Sequence, residues 1–147
     1  MAGKGTTFSG ELLALILNNV NAALVGDATG LRGSSTAGSL YLSLHTSTGP
    51  GAGGNQTTNE VSYTAYARVA VARSGAGWTV VSNAATLAAA ATFPLCDSSA
   101  GTVTYAAIGT ASSGTGKVLY FGAISPTIVL ANGVTPQLGT TSSVTET

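Results

Sequence analysis

Leu40-Tyr41-Leu42-Ser43-Leu44-His45 places a leucine at every second position. Successive side chains of an extended chain point to opposite faces. This period of two therefore predicts a strand with its leucines in a core and Tyr41, Ser43 and His45 on the other side, a half-buried strand. The alternation recurs at residues 63–71, where Tyr63, Ala65, Ala67, Val69 and Val71 alternate with Thr64, Tyr66, Arg68 and Ala70. Further strands are expected at 78–81, 102–108, 117–121, 127–130, 134–138 and 143–146, and the alanine-rich run 83–91 reads as strand or extended chain. Turn signals separate them: Ser74-Gly75-Ala76-Gly77, Ser98-Ser99-Ala100-Gly101, Ser112-Ser113-Gly114-Thr115-Gly116 and Asn132-Gly133. About eight short strands at this spacing predict a mainly β protein, a sandwich or barrel. No internal repeat is visible.

Upstream the period changes. Phe8, Leu12, Leu15, Ile16, Val20, Ala23 and Leu24 recur at three- and four-residue spacing, which predicts one helix over 8–25. Ser9 is placed to cap its start, Glu11 to sit in its first turn and Gly26 to end it in the left-handed conformation. Leu13 and Leu17 widen the apolar stripe past one face, so the helix needs cover from the domain or from a neighbour. Residues 1–7 read as a flexible arm, 38–147 as the β-sandwich, and the 147 residues as a single domain. The long Gly/Pro/Asn/Thr loop at 47–59 far exceeds a hairpin turn and is expected to be mobile, and functional or disordered.

Only 7% of residues are charged, against a usual share of about 25%. Polarity comes instead from 22 Thr and 16 Ser. The net charge is zero, and Lys4, Arg32, Arg68, Arg73 and Lys117 are scattered, so neither nucleic acid nor an anionic membrane is expected as a partner. A hydroxyl-rich surface is cheaper to desolvate than an ionic one, which favours a protein that lives in an assembly. The single Cys96 excludes an internal disulfide and reads as a buried small hydrophobe. The apolar run at 12–17 is too short, and too broken by Asn18, Asn19 and Asn21, for a secretory signal or a membrane span. Synthesis in a bacterial cytoplasm without processing is expected.

Catalytic chemistry is not expected. One histidine, one cysteine and dispersed carboxylates offer no triad or metal set, and His45 reads as a polar strand residue. Gly114-Thr115-Gly116-Lys117 lacks a phosphate loop's first glycine (Ala111) and its metal-binding hydroxyl (Val118), and it precedes a strand. Asn55-Gln56-Thr57 is a glycosylation pattern without meaning in an unsecreted chain. Glu60 and Asp97 form no glycosidase pair beyond their charge. No cofactor, metal or small-molecule substrate is therefore expected. Contact residues remain, because Tyr, Trp and Arg are the types that dominate interfaces. Trp78 reads as core, and Tyr66 and Arg68 equally as core or interface. The protein-interface candidates are Phe8, Leu13, Leu17, Tyr41, Tyr66, Arg68 and Arg73.

A resemblance adds to this reading. It rests on Leu40-Tyr41-Leu42-Ser43-Leu44-His45-Thr46, Thr58-Asn59-Glu60-Val61-Ser62-Tyr63 and Tyr66-Ala67-Arg68-Val69-Ala70-Val71. It continues through Gly77-Trp78, Asn83, Thr92-Phe93-Pro94, Ile108-Gly109-Thr110-Ala111 and Gly114-Thr115-Gly116-Lys117. The pattern resembles small tailed-phage proteins often labelled tail fibre, and the capsid-cementing proteins of Bordetella-type short-tailed phages. The resemblance implies a jelly-roll-like β-sandwich that docks, often as a homodimer, on the exterior of an icosahedral bacteriophage capsid. There it would clamp neighbouring copies of the major capsid protein, with no catalytic residues. The alternative it leaves open is a tail-fibre or receptor-binding module.

Overall fold

The computed structural model describes residues 4–147. Strand β1 (Ser39–His45) forms where the leucine alternation places it and pairs antiparallel with a strand at Gly101–Gly109. In chain order the remaining strands are β2 (Val69–Ala72), β3 (Trp78–Val81), β4 (Ala84–Leu87), β5 (Ala91–Thr92), β6 (Gly101–Gly109), β7 (Val118–Leu130), β8 (Gln137–Leu138) and β9 (Ser143–Thr145). One helix, α1 (Thr6–Asn18), precedes them. The protein is mainly β, with antiparallel pairing in β1–β6, β3–β4, β4–β9, β5–β8 and β6–β7, and is consistent with a β-sandwich carrying a single helix.

Two compact units divide the chain, and neither is contiguous in sequence. The first takes the described residues up to Ser39, with Val71–Ala90 and Gly139–Thr147; the second takes Leu40–Ala70 and Ala91–Leu138. In the first, α1 packs on the three-stranded sheet β3-β4-β9. Leu13 and Leu17 are fully buried there, in a core that also holds Trp78, Ala85 and Leu87. A Cβ on Gly10 would lie 2.2 Å from the Ser82 carbonyl oxygen, so the helix meets the β3–β4 turn with room for glycine alone.

The helix differs from its sequence expectation at both ends. It begins at Thr6, with Gly5 as N-cap, so Thr6 and Thr7 belong to it and Ser9 is a buried interior residue instead of the cap. Residues 1–3 of the expected arm lie outside the described residues; Lys4 forms an ion pair with Glu146. The helix ends at Asn18, not near Gly26. Asn19 adopts the left-handed conformation (φ 57°), and the Val20 N–H bonds the Ala14 carbonyl at 3.1 Å. Asparagine tolerates that conformation, and two remote groups reinforce the stop. The Asn19 amide bonds both the N–H and the carbonyl of Ser34, while Arg73 donates to the Leu15 and Ile16 carbonyls at 2.9 and 2.7 Å. Val20 and Leu24, expected on the helix stripe, are exposed beyond it.

The second unit holds the sheet ordered β2-β1-β6-β7, whose β2 end runs across the boundary of the units in sequence, and the two-stranded sheet β5-β8. The strand expected at 63–71 is reduced to β2. Tyr66 N–H bonds the Tyr63 carbonyl in a turn, because both rings are drawn inward, 5.3 Å apart edge to face, and Tyr66 stacks on Phe93. The strands expected at 117–121 and 127–130 are one strand, β7, which carries the intervening Ile124-Ser125-Pro126 past β6 through a shift of register between Val103 and Tyr105.

Strand β1 is not half-buried. Ser43 and His45 are as fully buried as Leu44, because the 47–59 segment lies over their face. Its ends are tied by Thr46 N–H to the Asn59 carbonyl (2.8 Å) and by Val61 N–H to the Leu44 carbonyl (3.0 Å). The Asn59 amide donates to the Gly49 carbonyl at 2.8 Å, and a Cβ on Gly49 would strike the Tyr105 ring. The expected mobile loop is a fastened strap.

The helix–turn approach is testable. Gly10→Ala should cost about 1–3 kcal/mol of stability through overpacking, seen as a lower urea midpoint with an unchanged slope. A neutral result would show that the β3–β4 turn yields.

Candidate functional site

Three of the four buried polar side chains of the described residues, Ser43, His45 and Gln56, lie in the second unit, with Glu60, Tyr66 and Arg68 close by in the fold. Glu60, near the strap's end, meets Arg68 in a bidentate pair: Nε to Oε1 and Nη2 to Oε2, each 2.7 Å. The Arg68 side chain is 3% exposed and that of Glu60 13%. Tyr66 completes the carboxylate's shell, its hydroxyl donating to Glu60 Oε1 at 2.9 Å and accepting the Leu44 N–H at 3.1 Å. Burial pushes the Tyr66 hydroxyl well above the ordinary range of a phenol. The hydrogen bonds that Arg68 donates to Glu60 hold its proton more firmly still.

Arg68 has donors left over, and they hold the loop between β6 and β7. Nη1 donates to the Ala111 carbonyl at 3.0 Å and Nη2 to the Gly114 carbonyl at 2.8 Å. Gln56 grips the same loop from the strap. Its Oε1 accepts the Ala111 N–H at 2.9 Å, and its backbone N–H bonds the Gly116 carbonyl at 2.9 Å. Gln56 is completely buried and fits only because positions 109 and 116 are glycine; a Cβ at either would fall within 2.0 Å of its amide. Gly116 thus makes room for Gln56, and Gly114 takes a left-handed turn conformation (φ 69°).

His45 lies deeper. Its Nδ1 donates to the Thr58 carbonyl at 2.9 Å, and Nε2 is then left to accept from the Ser43 hydroxyl at 2.8 Å. Burial drives its pKa below the ordinary value for histidine. All these groups are buried or nearly so, and together they fasten the strap and the β6–β7 loop. Among the described residues no group of His, Cys, Asp and Glu is placed to hold a metal.

The interface candidates are distributed differently from the sequence reading. Leu13 and Leu17 have no exposed surface, Tyr66 and Arg68 serve the buried network, and Arg73 caps α1 while also bonding the Ala37 carbonyl and Ser34 hydroxyl. Of the seven, Phe8 is exposed and Tyr41 half-buried. The exposed apolar side chains went unread. In the first unit they include Val20, Leu24, Val25, Leu31 and Val81; in the second, Leu95, Phe121 and Val129. Leu24, 81% exposed, stands at φ 62° in a loop closed by the Ala22–Leu31 bridge and the Asp27 carboxylate. Val129 is 64% exposed. Val20 and Leu24 carried no separate signal, because their positions continue the helical spacing past Asn18.

A charge-poor β protein with enclosed polar groups and apolar side chains turned outward suits a structural component of a larger particle, and comparison with known families specifies which. The chain is a structural protein of a short-tailed phage virion. The podophage GP4 fiber I protein gp80 family matches residues 17–143, and the chain belongs to that family. No curated protein and no solved structure matches it significantly. No helix among the described residues is long and apolar enough to cross a membrane.

Removing the carboxylate charge should expose how the network is coupled. Glu60→Gln should lower stability by about 3–5 kcal/mol by leaving the Arg68 cation buried without its partner. Adding Arg68→Met should cost less than the sum of the two single changes. Additive losses in urea denaturation would refute a coupled pair.

Proposed function

We propose that this protein is a fibre component of a short-tailed phage virion, held by contacts with neighbouring virion proteins and carrying out no reaction. The observation that carries this reading is the family match, which runs through both units and bears the description of a fibre protein. The surface supports it. Hydroxyl and apolar side chains can be covered by a partner at lower desolvation cost than ions. Polyvalent attachment at symmetric sites turns modest single contacts into a lasting one.

A second reading is favoured by the same surface together with the resemblance to capsid-cementing proteins. The protein would then sit on the capsid exterior and bridge major capsid subunits, by itself or as a homodimer, where each joint would bury on the order of 1,600 Å². Exposed apolar side chains in each unit, such as Leu24 in the first and Val129 in the second, supply contact points for such bridging.

The readings part on location. Virions disrupted into heads and tail assemblies, separated by density and quantified by mass spectrometry, should retain this protein in the tail fraction at a fixed copy number. Recovery on heads, in proportion to the major capsid protein, would replace the fibre reading with the cement reading. Absence from both fractions would end both.

A further inference from the structure

We propose that the 46–60 strap is an acid-released cover over the β1–β6 sheet, with His45 as its latch. The geometry gives His45 this position. It is the chain's single histidine, it has no exposed surface, and both ring nitrogens are engaged, Nε2 with Ser43 and Nδ1 with the strap through the Thr58 carbonyl. The neighbouring backbone pairs Thr46 with Asn59 and Leu44 with Val61, so the strap closes directly around this residue.

Protonation would place a cation in this enclosure. The groups acting on it are Ser43 on its own strand, Thr58 and Glu60 on the strap and Arg68 on the following segment, and Tyr105 is its register partner on β6. Glu60 is the one anion among them, and it already receives Arg68 through two hydrogen bonds and Tyr66 through a third. Burial disfavours the imidazolium most; the Thr58 carbonyl and Glu60 favour it and Arg68 opposes it, and burial prevails. An imidazolium is therefore better solvated with the strap lifted. The strap meets solvent on its outer side, where Ala52, Gly53, Thr57 and Asn59 are exposed.

The sign follows from the depressed histidine pKa. An unfolded or opened chain binds the proton more readily than the closed form. The strap's stability is thus complete above the ordinary histidine value of about 6.5 and is lost as pH falls through the lower value of the closed state.

Hydrogen exchange of the full chain near pH 7 and near pH 5, corrected for intrinsic rates, tests this. Peptides covering 46–60 should lose protection several-fold at the lower pH, while those covering 78–87 keep theirs, and His45→Gln should abolish the difference. Equal strap protection at both pH values, an equal loss in both regions, or a pH response that persists in H45Q would overturn the proposal. Should H45Q not fold, the wild-type imidazole can be followed by NMR. A ring that titrates below the ordinary value, with strap amides shifting at the same midpoint, supports the latch; a ring titrating at or above that value refutes it.

Discussion

The Glu60–Arg68 pair is the interaction on which the second unit is organised. A guanidinium with 3% of its side chain exposed must have its charge matched and its donors satisfied, or the fold would carry an uncompensated buried ion. Meeting that demand joins three pieces of chain remote in sequence. Glu60 brings the end of the strap, Arg68 the segment after Tyr66, and the carbonyls of Ala111 and Gly114 the β6–β7 loop. Gln56 makes the same connection from the strap's middle, through the space left at Gly109 and Gly116.

This placement sharpens what a charge-poor composition means. The chain has five basic and five acidic residues. Glu60 and Arg68 pair with each other, as do Lys4 and Glu146, while Arg73 is directed into the carbonyls at the end of α1. Much of the little charge available thus works inside the molecule. The outer surface keeps a few scattered charges, Asp27, Arg32, Asp97 and Lys117 among them, and is otherwise hydroxyls, backbone and apolar side chains such as Leu24, Val81 and Val129. Such a surface has weak means of steering a partner over distance and strong means of adhering at contact. That balance fits a virion component positioned by assembly at high local concentration.

Legibility in the sequence followed the range of the interaction. The leucine alternation of β1 was readable because it is a local consequence of the extended backbone, and α1 was readable for the same reason at helical spacing. The helix ends were misplaced because they depend on Asn19 meeting Ser34 and on Arg73 reaching back to Leu15 and Ile16. Tyr66 and Arg68 stood out as residues with work to do, but their partners are in the strap and the β6–β7 loop, and no spacing rule connects those segments. Gln56 carried no signal at all; its burial is intelligible only beside two glycines more than fifty positions away.

By itself, then, the sequence determined the mainly β class, the single helix, the poverty of charge and the shortage of reactive groups. These depend on composition and on periodicities that neighbouring residues impose on one another. The tertiary structure alone decided that the long loop is a strap, that β1 is buried on both faces and that the conspicuous arginines face inward. Each of those outcomes is a match between a buried polar group and a partner far along the chain. The desolvation cost that makes such a match necessary exists only once the chain has closed around it.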